Sequence, residues 1–215
     1  KVVMHDNVTF IGSCAFKGCN NLKEINISKG IVKILDEAFS GCSSIKEIDL
    51  NVSNIKSIGN FAFYNLSSLE KFNINSLNDY LLNVDYRCKE ANPLSNGCDL
   101  YVNNEKIVDL VISEDIVQIN NYLFSGCTSI ETIKYTSSLV HIGYESFAYL
   151  SNLKEVVIKE HIASINLGAF AFCENATLYV EKEKDYSKYV DRWNENTKTY
   201  YKGEWEYVEG KPQII

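Results

Sequence analysis

Long apolar runs and an excess of basic residues are both missing from this 215-residue chain. No apolar run approaches the roughly 20 residues that a transmembrane helix needs, so we expect no membrane insertion. The sequence also lacks a basic start followed by an apolar stretch, which is the pattern that would indicate a signal peptide. The chain starts almost inside a repeat and without Met, so we interpret it as a piece of a longer protein.

Positive charge is scarcer than negative charge. The chain has 21 Lys and Arg against 28 Asp and Glu, for a net charge of −7. A nucleic-acid backbone would be repelled rather than neutralised by this balance. We therefore exclude nucleic acid and favour basic partners, while the 46% of hydrophobic residues is enough for a core.

Motifs for catalysis and metal binding are also absent. The sequence has no phosphate-binding Gly-x-x-x-x-Gly-Lys loop, no Gly-x-Ser-x-Gly elbow, no His-Glu-x-x-His and no Cys-x-x-Cys. A cysteine nucleophile needs a histidine within hydrogen-bond reach, but His5, His141 and His161 are scattered. We predict no catalytic residue, no metal site and no cofactor, and hence no enzyme.

What the chain does contain is one pattern repeated six times. The copies span residues 8–27, 31–50, 55–74, 116–135, 139–158 and 162–180. The pattern is marked by the column phenylalanines Phe16, Phe39, Phe63, Phe124, Phe147 and Phe170. These residues recur every 23 or 24 positions, apart from one step of 61. Repetition at this period predicts a solenoid in which each copy stacks on its neighbours.

Each copy has the pattern of two strands. Its end alternates apolar and polar residues, as in Ile45-Lys-Glu-Ile-Asp-Leu50, which indicates a half-buried strand. A short extended piece of the Val-x-x-Ile type opens the copy. Stacking then predicts parallel ladders between copies. The Ala-Phe-x-Gly-Cys element between the strands predicts a helical or 3₁₀ turn.

The repeat Val-x-x-Ile-Gly-x-x-Ala-Phe-x-x-Cys-x-x-Leu-x-x-Ile-x-Ile resembles that of the BspA-like, or Treponema pallidum type, leucine-rich repeat family. Residues 8–180 carry this register, with Leu66 and Leu150 in place of Cys as departures. The resemblance implies an α/β fold, a right-handed leucine-rich repeat solenoid. It also implies a bacterial cell-surface or extracellular protein, because family members are associated with adhesion to hosts.

We expect a leucine-rich repeat solenoid over residues 1–180, with an irregular unit at about 77–115, and a C-terminal cap over 181–215. Ser76 and Asn78 could cap a short helix over Tyr80 to Val84, and Asn103-Asn104 indicates a turn before the stretch from Ile107 to Ile112. The irregular unit is either a structural joint or a binding site. The aromatic residues of the last segment, Trp193, Tyr200, Tyr201, Trp205 and Tyr207, suit a cap, with a carbohydrate platform as the alternative.

The cysteines follow the repeat. Cys19, Cys42, Cys127 and Cys173 occupy one position, three residues after the column phenylalanine. Because leucine takes the same position in two copies, we interpret it as a packing position whose thiol can reach a neighbouring backbone carbonyl. Cys14 is expected near the surface, and a bridge between Cys88 and Cys98 stays open.

The outward residues of the longer strands form the candidate protein-binding face. They are Glu24, Asn26, Glu47, Asp49, Lys71, Asn73, Thr132, Lys134, Glu155 and Val157. Alternation places them in two adjacent columns on one broad face. In leucine-rich solenoids such a face lines the concave side, where protein ligands usually bind. Glu24, Glu47 and Asp49 would make its N-terminal end acidic. The alternative is a merely solvated sheet face.

The sequence thus predicts a non-enzymatic cell-surface or secreted module for protein–protein interaction, with a host matrix or surface protein as the partner. Two alternatives stay open. The chain could be a structural spacer, or an accessory region of a larger surface protein or enzyme. Fold by analogy does not choose between them.

Overall fold

The computed structural model describes residues 1–181 and 198–215. The chain up to the third copy forms β1 (Val2–Val3), β2 (Phe10–Ile11), β3 (Ile25–Asn26), β4 (Lys33–Ile34), β5 (Glu47–Leu50), β6 (Ser57–Ile58) and β7 (Lys71–Ile74). The irregular unit forms helix α1 (Leu77–Asn83), 3₁₀ helices at Lys89–Ala91 and Pro93–Asn96, and β8 (Asp99–Val102), β9 (Glu105–Lys106) and β10 (Asp109–Ile112). The remaining described strands are β11 (Gln118–Ile119), β12 (Thr132–Tyr135), β13 (His141–Ile142), β14 (Glu155–Ile158), β15 (Ser164–Ile165), β16 (Thr177–Val180), β17 (Lys198–Tyr201), β18 (Trp205–Val208) and β19 (Lys211–Ile214).

Like strands of successive copies pair in parallel, which confirms the predicted ladders. The longer strands form two parallel runs, one of β5, β7 and β8 and the other of β10, β12, β14, β16 and β17, and the short strand β9 adds to β8 in antiparallel. In the first run Ile48 lies beside Phe72, and Phe72 beside Leu100, with all three fully buried. The short strands form two further ladders, which are β2-β4-β6 and β11-β13-β15.

The turn between the two strands of a copy makes a third set of bonds between copies. The amide of Phe39 donates to the carbonyl of Ala62 at 2.9 Å, and that of Phe147 to the carbonyl of Ala169 at 2.8 Å. Two residues in each turn have positive φ, four positions apart. The earlier residues are Cys14, Glu37, Phe61, Tyr122, Glu145 and Gly168, and the later ones are Gly18, Gly41, Asn65, Gly126, Tyr149 and Phe172. The predicted helical or 3₁₀ turn is wrong, because positive φ interrupts a right-handed helix.

The column phenylalanines stack through the core. Phe16 and Phe39 have ring centroids 5.3 Å apart, and the rings of Phe124 and Phe147 are 5.4 Å apart and parallel. The stack is interrupted at the irregular unit, where Tyr80 packs edge-on against Phe124 at 5.8 Å. Since each aromatic ring buries about 150–250 Å², this column contributes much of the apolar burial that holds the copies together.

Two local predictions for the irregular unit are confirmed in part. Helix α1 is capped by Ser76, whose Oγ accepts from the amide of Asp79 at 3.1 Å, and it begins three residues before Tyr80. Asn103 and Asn104 both have positive φ and join β8 to β9 in an antiparallel hairpin. The residues after this turn form two separate strands. Strand β9 stays in the hairpin, whereas β10 starts the second parallel run.

Side chains of the irregular unit bond to the turns of the copies on both sides. Asn96 Nδ2 donates to the carbonyl of Phe63 at 2.9 Å. On the other side, Tyr80 Oη donates to the carbonyl of Leu123 at 2.6 Å, and Asn92 Nδ2 donates to that of Tyr122 at 2.7 Å. These side-chain hydrogen bonds replace the amide-to-carbonyl bonds that regular turns form between neighbouring copies. The unit therefore acts as a joint between the third and fourth copies.

The repeated cysteine position is a packing position where neighbouring copies cover it. Cys42 Sγ donates to the carbonyl of Phe16 at 2.9 Å, and Cys173 Sγ to the carbonyl of Phe147 at 3.0 Å. Burial raises the pKa of the Cys42 thiol to about 11 and that of Cys173 to about 12. Cys19 differs from the prediction and is exposed, because no described copy covers that side of the first turn.

The other cysteines carry no bridge either. All seven thiols are free, so Cys88 and Cys98 are not bonded to each other. Cys98 is buried, and desolvation raises the pKa of its thiol. Cys14 is exposed, as predicted.

The aromatic residues of the C-terminal segment pack on the sixth copy. Strand β17 pairs in parallel with β16, and the rings of Tyr179 and Tyr200 stack at 6.1 Å. Trp205 is only 7% exposed and donates from Nε1 to the carbonyl of Val180 at 3.2 Å, so its ring is not open for a carbohydrate. Trp193 lies outside the described residues. The division at residue 180 into solenoid and cap stays a prediction.

Replacing a column phenylalanine should destabilise the stack. For Phe147→Ala we expect the free energy of unfolding to fall by about 3–5 kcal/mol, because the cavity opens between two stacked rings. Phe172→Ala is the matched control, since this ring is 52% exposed and should cost about 1 kcal/mol or less. Urea unfolding followed by circular dichroism measures both. Equal losses would contradict the role of the column.

Thiol titration should separate the cysteines by burial. In the folded protein at mildly alkaline pH, we expect Cys14 and Cys19 to react at once with a thiol reagent. The four buried thiols, Cys42, Cys98, Cys127 and Cys173, should react only on unfolding, because burial disfavours the thiolate and blocks access. A denatured, unreduced control should show seven thiols. Five in that control would mean that a disulfide is present.

Candidate binding face

The strand face is the outward side of β3, β5, β7, β12 and β14. Six of the ten predicted side chains are exposed there: Glu24, Asn26, Glu47, Asp49, Lys134 and Glu155. Lys71, Thr132 and Val157 are half-buried, and Asn73 is 4% exposed. The register places Glu47 beside Lys71 and Asp49 beside Asn73. The side chains therefore stand in the two columns that alternation predicts.

The β8–β9 hairpin divides the strand face. The amide of Asn104, at the hairpin turn, donates to Asn73 Oδ1 at 2.8 Å, and Lys71 Nζ donates to Asn104 Oδ1 at 2.8 Å. These contacts bury Asn73, which the sequence places on the exposed surface. The single broad face of the prediction is therefore two smaller surfaces, because the irregular unit inserts a hairpin between the third and fourth copies.

The N-terminal half of the strand face has mixed charge rather than the acidic charge expected. Glu24 pairs with Lys1 at 2.9 Å, and Glu47 pairs with Lys71 at 2.6 Å. The hydrogen bond from Lys1 holds the pKa of the Glu24 carboxyl below its usual range. Asp49 accepts from Asn73 Nδ2 at 3.1 Å. A shallow groove of about 550 Å³ lies here, lined by Lys1, Lys23, Glu24, Ile25, Asn26, Lys46, Glu47 and Asp49.

The C-terminal half of the strand face has a wall. The β18–β19 hairpin lies beside β12 and β14 and encloses a groove of about 490 Å³, which we call the hairpin groove. Its floor contains Thr132, Ile133, Lys134, Tyr135, Glu155, Val157 and Lys159, and its wall contains Tyr207, Gly210, Lys211 and Pro212. Four of the ten predicted residues lie in this floor.

A polar network anchors the hairpin to the solenoid. Lys159 Nζ pairs with Glu181 Oε1 at 2.8 Å and bonds to Tyr207 Oη at 2.5 Å. Tyr207 Oη in turn donates to Glu181 Oε1 at 3.0 Å, and the amide of Glu160 donates to Glu181 Oε2 at 3.1 Å. Within the hairpin, Trp205 donates from Nε1 to the carbonyl of Val180, and its ring meets that of Tyr207 edge-on at 5.1 Å. The wall of the groove is therefore held at several points.

The charges of this network support one another. Burial lowers the pKa of Lys159, but the carboxylate of Glu181 and the hydroxyl of Tyr207 outweigh it and raise that pKa overall. For Glu181, burial raises the pKa, while hydrogen bonds from Lys159, the Glu160 amide and Tyr207 lower it overall. Both groups stay charged near neutral pH, so the anchor is an ion pair there.

Sequence reasoning missed the wall. It placed Tyr207 in the cap and gave Lys211 and Pro212 no role. A signal was present, since Glu209-Gly210 separates two alternating stretches, and both residues have positive φ as a two-residue hairpin turn requires. No local signal could show that this hairpin would lie over β12 and β14.

The described parts of the chain contain no group of side chains arranged for metal binding or catalysis. Among residues 1–181 and 198–215, no three His, Cys, Asp or Glu side chains are grouped so that they could hold a metal ion. Neither groove is lined by a described histidine or cysteine. His141 Nδ1 instead lies 2.7 Å from Ser164 Oγ on the short-strand ladder. No helix in those same ranges is long and apolar enough to cross a bilayer.

Stacked parallel strands, the phenylalanine column and the outward strand face together define a leucine-rich repeat solenoid. The predicted fold class is confirmed. The chain belongs to the BspA-type leucine-rich repeat family, whose sequence model matches residues 1–89 and 97–187 in six copies. No curated protein matches the chain.

Solved structures of bacterial leucine-rich repeat proteins are similar to this chain at low sequence identity. A leucine-rich cell surface protein from Faecalibacterium prausnitzii is 20% identical, with a TM-score of 0.49 over 92% of this chain and 59% of that protein. The pneumococcal vaccine antigen PcpA is 16% identical, with a TM-score of 0.50 over 83% of this chain and 50% of PcpA. The chain thus spans between half and three fifths of these two proteins.

Removing the anchor lysine should loosen the hairpin. In Lys159→Met we expect amide exchange in residues 205–214 to accelerate about tenfold, because a charge-assisted bond is worth about 1.5–3 kcal/mol. Lys154→Met is the matched control, since Lys154 pairs with Glu131 on the surface and has no hairpin contact. Hydrogen–deuterium exchange with mass spectrometry measures both. Unchanged exchange in the first variant would show that the network does not hold the hairpin.

Proposed function

We propose that the chain is a non-enzymatic module of a bacterial cell-surface or secreted protein and binds a protein partner through its strand face. The partner in this proposal is a host matrix or surface protein. The carrying observation is that six outward side chains of the copies are exposed in columns on one face of the solenoid: Glu24, Asn26, Glu47, Asp49, Lys134 and Glu155.

The ladders and core of the solenoid are built without these exposed outward residues. Its ladders join backbone groups, and its core contains the inward residues, such as Ile48 and Phe72, which are fully buried. The outward groups add surface ion pairs, which are worth about 0–1 kcal/mol each. Their identity is therefore open to selection by a partner, on a scaffold that holds each side chain at a regular spacing.

Membership of the BspA-type family supports the location and the class of partner. Members of this family are bacterial surface proteins that are associated with adhesion. The net charge of −7 would steer the chain toward basic regions of a partner and away from nucleic acid. The two grooves on the strand face give such a partner places to insert side chains.

Charge reversal on the N-terminal half tests this proposal. Binding of the chain to a panel of purified matrix and serum proteins is measured by biolayer interferometry, alongside a variant with Glu24, Glu47 and Asp49 changed to Lys. We expect at least one protein of the panel to bind, and the variant to bind it about tenfold more weakly or not at all. Mixed-charge contacts are expected to act chiefly on association.

The matched control makes the same change of charge elsewhere. Glu114, Asp115 and Glu174 are exposed in loops, so changing these three to Lys should leave binding within about twofold of the parent. Equal losses in both variants would show a general charge effect and overturn the strand face as the site. Absence of binding to every protein of the panel would favour the spacer alternative.

A further inference from the structure

Two lysines of the hairpin groove have no carboxylate partner among the described residues, unlike Lys71, Lys106 and Lys159. Lys71 pairs with Glu47 and Lys106 pairs with Asp99, each at 2.6 Å. Lys159 pairs with Glu181 at 2.8 Å as part of the hairpin anchor. Lys134 in the floor and Lys211 in the wall line the groove but form no ion pair with any residue that the structure describes.

The rest of the groove is short of negative charge. Glu155 is the single carboxylate among the described residues that line it. Val157, Pro212 and the ring of Tyr207 supply apolar surface next to the lysines. Two lysines without an ion-pair partner among the described residues and one carboxylate therefore line a partly apolar cleft, within a chain whose net charge is −7. Local charge, rather than net charge, selects the group that docks in a cleft.

We propose that the hairpin groove binds an acidic segment of a partner protein, with its carboxylates on Lys134 and Lys211 and a neighbouring apolar side chain against Val157 and Pro212. This inference rests on the proposed function and names the partner chemistry of one half of the strand face. Glu155 acts in it as a selectivity group, since it repels a segment whose carboxylates are misplaced.

The geometry favours a peptide over other anions. Nucleic-acid binding depends on several phosphate contacts, for example about 6–10, whereas this groove offers two lysines without an ion-pair partner among the described residues. A small inorganic anion would leave the apolar surface beside the lysines unused. The wall is held by Trp205 and by the Lys159–Glu181 pair, so the groove exists before a partner arrives. A preformed cleft reduces the ordering cost of binding.

The test uses a defined probe. A fluorescein-labelled octapeptide of alternating Glu and Val is titrated with the full chain, and fluorescence anisotropy is recorded at low and high salt. Neutral Gln-Val and basic Lys-Val octapeptides serve as comparison probes. We expect the acidic probe to bind at least tenfold more tightly than the neutral one, and this advantage to shrink at high salt, because charges near the surface are screened.

Three variants locate the binding. The double variant Lys134→Glu with Lys211→Glu should lose at least tenfold in affinity for the acidic probe. Glu155→Gln should gain about two- to fivefold, because it removes a like charge from the groove. Lys33→Glu with Lys56→Glu is the control, since both lysines are exposed near the short-strand ladder and form no ion pair with a described residue. Circular dichroism confirms that each variant is folded.

Failure of this inference can be told apart from failure of the proposed function. Equal binding of the three probes, or equal losses in the groove and control variants, would overturn the acidic-segment site. If a matrix protein still bound the chain and lost affinity only in the N-terminal reversal, the proposed function would stand without this groove. If the acidic probe bound the groove while no panel protein bound, the groove would stand and the choice of partner would be wrong.

Discussion

Hydrogen bonding between neighbouring copies is the constraint on which this structure depends. Each copy has strands of only two to four residues, and no hydrogen bonds within one copy could hold such strands. Its strand amides and carbonyls pair with the next copy along two ladders, and alternate amides of the turn do the same, as where Phe39 donates to Ala62. Buried backbone groups must be paired, so the copies are forced into a common register. The phenylalanine column and the buried cysteines follow from that register, because identical positions then lie directly above one another.

The same constraint explains the irregular unit. A regular turn offers three amide-to-carbonyl bonds to the next copy, and the unit between the third and fourth copies has no such turn. Its side chains take over, with Asn96 bonding back to Phe63 and Tyr80 and Asn92 bonding forward to the fourth copy. The β8–β9 hairpin comes with this joint and covers Asn73. A structural solution to one junction therefore also shapes the surface on which binding is proposed.

The residues of the outer surface are less constrained by the fold than those of the core. Outward residues are not fixed by backbone pairing, so their charges vary from copy to copy along a constant scaffold. At the C-terminal end, an ion pair and an indole hydrogen bond hold a hairpin beside two of the strands. This contact turns an open sheet into a groove that Lys134 and Lys211 line. A groove of this kind is made by a few contacts at one end of a solenoid, without any change in the repeat.

The sequence by itself determined the repeat, the parallel ladders, the inward columns and the two outward columns. The ladders depend on the spacing of 23 or 24 residues between copies, and the columns depend on the alternation within each strand. It also indicated the Ser76 cap and the Asn103-Asn104 turn, which are set by a few adjacent residues. Only the tertiary structure decided the conformation of the turns, since alternate bonds to the next copy favour positive φ over a helix. It alone decided that Asn73 is covered and that Tyr207 and Lys211 stand beside Lys134. Those contacts join residues tens of positions apart outside the repeat, and no periodic pattern specifies them.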